Sequence, residues 1–169
     1  MEWFNICCFL FSCTLLVVAI DPNDCDIDVS GTCFVIIHEK MKWEEARTKC
    51  QDLGGNLAVL DKINVRDAVN TITVGGESLW IGLHDLAING QPFWVDPEVI
   101  YNSNKVYPWA IVDDNTDNRD CVLATGNQEG VLEWRYNNCG SLHAFLCEIL
   151  GSDDDADMEI ITANKLKAE

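Results

Sequence analysis

The chain has 169 residues, enough for one domain with a real core, and a formal net charge of −17. Nucleic acid and anionic membranes would be repelled by such a chain, so both are argued against as partners. Cations, basic proteins, mineral surfaces and neutral sugars stay open, and solubility in a secreted fluid accounts for the charge by itself.

From Trp3 to Ile20 the sequence is almost wholly apolar, with small residues Val17 and Ala19 before a plausible cleavage at Ile20. Residues 1–19 read as a secretory signal peptide. The n-region departs from the usual pattern, because Glu2 is the only charged side chain before Asp21. An uncleaved signal anchor is the rival reading, since the run approaches a membrane span in length. Cleavage would leave no stable membrane insertion.

Of nine cysteines, Cys7, Cys8 and Cys13 fall in the leader. Cys25, Cys33, Cys50, Cys121, Cys139 and Cys147 remain, an even set that implies three disulfides in an exported chain. Six cysteines allow 15 pairings, so spacing alone leaves the connectivity open. No Cys-x2-Cys pair occurs after the leader, which argues against zinc.

The domain is placed at residues 20–150. "CFVIIHEK" is apolar and β-branched and predicts a strand. In "KWEEARTKCQDLGG", Trp43, Ala46, Cys50 and Leu53 recur at helical spacing, and Gly54-Gly55 ends the helix. "NLAVL" is a short extended piece. "DKINVRDAVNTI" predicts a second helix capped by Asp61, with Ile63, Ala68, Val69 and Ile72 inward. "LWIGLHD" is a strand too apolar for the surface.

From Leu86 to Asp120, Pro, Gly, Asn and Asp dominate, punctuated by Trp94 and Trp109. So long a stretch without clear elements is often functional. "CVLAT", "LEWRY" and "HAFLCEIL" then predict three closing strands, with a turn at "GNQEG". Residues 151–169 form a charged, flexible tail. There is no internal repeat and no Asn-x-Ser/Thr sequon. The order of elements is α+β with a small antiparallel sheet.

Taken in order, these residues resemble the C-type lectin family. The helix of Trp43, Ala46 and Cys50, "GGNLAVL", "LWIGL" at 79–83 and "FWVD" at 93–96 each match a family feature. So do Trp109, Asp120-Cys121, Trp134, Cys139 and the closing "LCE" at 146–148. The resemblance spans roughly Cys25 to Glu148 and implies the long form of a C-type lectin-like fold: two helices, small antiparallel sheets and a long irregular loop. It also implies the pairings Cys25–Cys33, Cys50–Cys147 and Cys121–Cys139. Closing a loop of about 100 residues stabilises by up to about 4.7 kcal/mol in the chain-entropy model, so Cys50–Cys147 should matter most.

Sugar-binding members of this family hold calcium at the edge of the long loop, where "DDNTDNRDC" stands at 113–121. Counting from Trp109, the family's Glu-Pro-Asn or Gln-Pro-Asp triplet falls on Asp113-Asp114-Asn115. Oxygen ligands survive at Asp113 and Asn115, but Asp114 replaces a proline whose preceding bond is cis in the family. A cis bond without proline costs about 2.5–4 kcal/mol, which predicts a trans or differently shaped loop. Arg119 stands where an acid is expected, and Arg135-Tyr136 replaces an Asn-Asp pair. Ca²⁺ takes six to eight oxygens, and this set retains about three from side chains. The candidate metal ligands are Asp113, Asn115, Asp117 and Asp120. The alternatives are a shifted site on Asp113, Asp117 and Asp120, and a metal-free loop in which these three pair with Arg119 and Arg135. Asn137-Asn138 would restore oxygens only through a register shift.

Candidate ligand-binding residues are Asp113, Asn115, Asp120, Trp109 and Tyr136. Trp43, Trp80, Trp94 and Trp134 are expected in the core; Trp109 and Tyr107 are the better exposed-aromatic candidates, with the core the favoured place for Trp109. His38, His84 and His143 share no short spacing with one another or with Ser or Cys, so no catalytic group is expected. Glu44, Glu45 and Glu148 suggest a peripheral calcium site, with an Arg47–Glu148 salt bridge as the simpler account. The functional expectation is a secreted, non-enzymatic protein of innate recognition that binds a glycan or glycoprotein by a route depending weakly or not at all on the degenerate calcium site. The alternatives are a calcium-independent module with a protein ligand, and an acidic matrix or mineral-associated protein suggested by the charge and by Asp153-Asp154-Asp155.

Overall fold

A computed structural model describes residues 25–73, 76–111, 118–127 and 129–150. The leader, the tail and, within the long loop, Asp113, Asn115 and Asp117 lie outside the described residues. So does the apolar run from Trp3; among the described residues no helix is long and apolar enough to cross a membrane.

The elements run β1 (Ile27–Val29), β2 (Thr32–Met41), α1 (Trp43–Asp52), β3 (Gly55–Leu57), α2 (Ile63–Ile72), β4 (Leu79–His84), β5 (Phe93–Trp94), β6 (Cys121–Gly126), β7 (Leu132–Asn137) and β8 (His143–Leu150). The sheet order is β1-β2-β8-β4-β6-β7, with β3 on β8 and β5 on β4. All pairings are antiparallel except β4 with β8. The last strand therefore lies in the middle of the sheet, beside one of the first.

Both faces of the central strands are covered, which explains why β4 reads as a continuous apolar run. Leu79, Ile81 and Leu83 of β4 pack on the α2 side with Val65, Val69, Leu146 and Trp134. Trp80 points the other way, into a cluster with Trp43, Ala46, Cys50, Phe145 and Cys147. Alternation along a strand divides one apolar run between two cores. The two indoles are anchored by backbone acceptors: Trp43 Nε1 donates to Ile81 O at 2.9 Å and Trp80 Nε1 to Met41 O at 3.0 Å. Trp94 and Trp134 are buried as well.

Gly82 in the middle of β4 is a close-approach position. A Cβ there would lie 2.5 Å from Val95 Cγ2 and 2.6 Å from Leu57 O. Its N–H donates to Ala58 O at 2.9 Å, and its carbonyl accepts the Val95 N–H at 2.7 Å. This one glycine lets the β3 extension and the foot of the long loop both close on β4. At the end of α1, Gly54 takes φ +85°, and its N–H donates to Gln51 O at 3.0 Å, which stops the helix where the glycine pair predicts.

The second helix corrects the expectation in two respects. Its N-cap is Lys62, without a side-chain cap, and the Asp61 carboxylate is engaged elsewhere. Its inner line is Val65, Val69 and Ile72, at i, i+4 and i+7, while Ile63 is 68% exposed. Starting the helix at Ile63 puts that side chain in the first turn, facing out. Three disulfides staple the fold: Cys25–Cys33, Cys50–Cys147 and Cys121–Cys139, with Cα–Cα distances of 5.4, 5.4 and 5.2 Å. Cys50–Cys147 ties α1 to the central β8 across 97 residues.

Candidate functional site

The long irregular segment leaves β4 at Asp85 and returns at Asp120, where the Asp85 N–H donates to Asp120 O at 2.9 Å. Asp85 is almost wholly buried, and its Oδ2 accepts the Gly90 N–H at 2.7 Å, closing the first turn of the loop. Sequence patterns give no strong sign of this role: Asp85 follows His84 at the end of an apolar strand, and its burial shows only in the fold.

Further along, the loop is built on aromatic rings. Tyr107 stacks on Trp134 at 5.3 Å and on Tyr101 at 4.8 Å. Trp109 meets Trp134 edge-on at 5.6 Å and stacks on Tyr136 at 4.8 Å. Its Nε1 donates to Tyr101 OH at 3.1 Å. The backbone is pinned as well: Trp134 N–H donates to Pro108 O at 2.7 Å, and Ala110 N–H to Trp134 O at 3.0 Å. Tyr107, expected to be exposed, is buried, and Trp109 is half-buried. Trp94 closes the cluster, edge-on to Trp134 at 5.7 Å.

Of the candidate site residues, Asp120, Trp109 and Tyr136 are placed, and Asp113, Asn115 and Asp117 fall outside the described residues. Tyr136 is 8% exposed. Its ring fills space against Trp109 where, by the family resemblance, a charged ligand would face an ion. Among the described residues no three His, Cys, Asp or Glu side chains come together as a metal site.

Among the described residues, Arg135 pairs with Glu133 at 2.9 Å. Positions i and i+2 share a strand face, which brings the carboxylate and the guanidinium together. The expected pairing of Arg119 and Arg135 with Asp113 and Asp117 falls on residues outside the described ones. Hydrogen bonds from Asn127 and Arg135 hold the Glu133 carboxyl below its usual value. Arg119 is exposed. The Asn137 Oδ1 accepts the Asn138 N–H at 2.7 Å, and the Asn138 Oδ1 accepts the Gly140 N–H at 2.8 Å. Both amide oxygens thus shape the turn into β8.

The expected Arg47–Glu148 bridge is absent. Arg47 lies 3.8 Å from Glu44, one helical turn earlier. Glu148 instead accepts the Val59 N–H at 2.9 Å. Burial, aided by the nearby Asp96 charge, pushes its carboxyl up to about 7 against smaller opposing effects of Val59 and Lys62. The three histidines stand apart. His38 meets Glu77 at 2.8 Å, His84 lies edge-on to Trp43 at 5.0 Å and His143 edge-on to Trp80 at 4.9 Å.

A long loop framed by a central last strand, two helices and a terminal disulfide staple defines a C-type lectin fold. The chain belongs to that family: residues 39–149 match the Lectin C-type domain. It is 28% identical to lectin BRA-3 of Megabalanus rosa over 152 residues, 80% of this chain and 88% of that one. It is 30% identical to a C-type lectin of Cerberus rynchops over 134 residues, 72% of this chain and 79% of the relative. Among solved structures, the C-type lectin domain of murine dendritic cell inhibitory receptor 2, in complex with N-glycan, superposes with a TM-score of 0.67 at 25% identity. That likeness covers 78% of this chain and 99% of the receptor domain.

Proposed function

We propose that this chain is a secreted recognition protein of innate defence whose lectin domain binds glycans without a sugar-coordinating calcium ion. The family and its glycan-bound structural neighbour support the ligand class. The observation that carries the calcium independence is the stack of the buried Tyr136 ring on half-buried Trp109, which puts an apolar contact where the family would use a charged cation ligand. Calcium needs six to eight oxygens, and a buried phenol ring beside an arginine-bearing strand is a poor contributor. The candidate ligand-binding residues in this reading are Trp109 and Asp120, with Asp113 and Asn115 outside the described residues.

A second reading, a protein ligand, draws support from a different observation. Ile100 and Val106 of the long loop are 82% and 90% exposed, and Ile111 is fully exposed. Exposed apolar side chains on a loop are common in protein-recognition surfaces. A glycan array probed in excess calcium and again in EDTA separates the two. Binding that survives EDTA is the expected result. Binding abolished by EDTA would overturn the calcium-independent mechanism, and no binding in either buffer would favour the protein ligand.

A further inference from the structure

The described part of the long loop is held by a group that the lectin reading leaves unused. Asp61 precedes α2, and its Oδ1 accepts the Tyr107 hydroxyl at 2.6 Å. Its Oδ2 pairs with Lys105 Nζ. Arg66, one turn into α2, donates from Nη1 to Leu60 O at 3.0 Å and to Asp61 O at 2.7 Å. The same guanidinium lies 5.2 Å from the Tyr107 ring centroid and reaches Val106 O from Nη2 at 3.5 Å. One carboxylate and one guanidinium from the start of α2 therefore grip three successive loop residues, 105–107.

We propose that Asp61 is the positioning residue of the recognition loop, a latch of side-chain contacts that fixes the course of residues 105–110 and so the place of Trp109. The proposal rests on the reading of that loop as the recognition surface. From Tyr107 the restraint passes directly along the chain. The Tyr107 carbonyl accepts the Trp109 N–H at 2.9 Å, Pro108 and Ala110 bond to Trp134, and Trp109 then stacks on Tyr136. The candidate ligand segment begins at Asp113, three residues after Ala110. The described part of the loop is thus held by α2 on one side and β7 on the other, through protein contacts.

The latch is charged under ordinary conditions. Burial raises the Asp61 pKa, but hydrogen bonds from Lys105 and Tyr107 and the charges of Lys105 and Arg66 outweigh it and keep the carboxyl below its usual value. Tyr107 is pushed up to about 12 by burial and by its bond to Asp61, so it stays a proton donor. Removing one partner of such a charge-assisted pair leaves the others short of a buried contact.

Hydrogen exchange of the disulfide-intact protein tests this directly, in excess calcium and in EDTA. Wild type, Asp61→Ala, Lys105→Met and the double variant are compared over residues 102–111, with β4 and β8 as internal references. Asp61→Ala should speed exchange in 102–111 about tenfold or more and leave β8 unchanged. Lys105→Met, at a half-exposed side chain, should give a smaller effect in the same segment and leave the Tyr107 bond in place. The double variant should match Asp61→Ala, because removing the Asp61 carboxylate already removes the Lys105 contact. Wild type should exchange equally with and without calcium. Unchanged exchange in 102–111, equal acceleration of β8, or a wild-type loop that loosens in EDTA would each overturn the proposal. No glycan is present in this experiment, so a failed glycan array leaves its result intact.

Discussion

Glu148→Gln should make the protein more stable at neutral pH and abolish most of the destabilisation wild type suffers between mild acid and neutrality. Glu148 sits on the central strand β8 with one hydrogen-bond donor, the Val59 N–H at 2.9 Å, and the Asp96 charge nearby. Burial is the largest influence and raises the carboxyl from 4.5 to about 7. In the unfolded chain the group ionises near its ordinary value, so from about pH 4.5 upward the unfolded state sheds a proton that the folded state keeps. Stability present below that point is lost progressively until pH passes the folded value near 7. A shift of this size corresponds to about 3 kcal/mol at roughly 1.4 kcal/mol per pKa unit. His84 and His143, both pushed down mainly by burial, contribute in the opposite sense on the acid side, but they are common to both proteins. The difference between wild type and Glu148→Gln therefore isolates this one carboxyl. Denaturant unfolding with intact disulfides at intervals from pH 4 to pH 8 measures it. The variant's advantage should grow by about 2–3 kcal/mol across that range. A difference that stays flat with pH would refute the reasoning.

Two further outcomes test the frame. Gly82→Ala should fail to fold or lose more than about 3 kcal/mol, because the added methyl meets Leu57 O and Val95 at under 3 Å and neither the β3 extension nor the loop foot can retreat; a near-wild-type melting curve would contradict this. Replacing Cys50 and Cys147 together by Ala should cost about 4–5 kcal/mol, and replacing Cys121 and Cys139 about 3 kcal/mol, in parallel denaturation curves; the reverse order would mean that loop closure is not the dominant effect.

The sequence made the sheet and the first helix legible because their signals are local. Trp43, Ala46 and Cys50 repeat at helical spacing and are all buried, and the glycine pair ends the helix where Gly54 takes a left-handed turn. The apolar run of β4 announced burial on both faces. What sequence patterns missed depends on partners distant along the chain. Asp61 has the spacing of a helix cap, yet its carboxylate bonds Tyr107, 46 residues away. Glu148 was matched to Arg47, whereas a backbone amide at Val59 claims it and Glu44 lies nearer the arginine. Arg135 finds Glu133 two residues back on the same strand face, a partner that only the pleat of β7 reveals. Tyr107 looked like an exposed ring in a polar loop, and only the fold brings Trp134 and Tyr101 to cover it. Charged and aromatic side chains in long loops are assigned by tertiary contact, which composition does not encode.

The central claim, recognition without the sugar-coordinating ion, is tested most directly by calorimetric titration of calcium into chelator-stripped protein, alongside Asp113→Ala and Asn115→Ala. The account predicts no calcium binding that depends on these two residues. Binding near millimolar or tighter that both substitutions abolish would contradict it and restore the calcium-bridged sugar site.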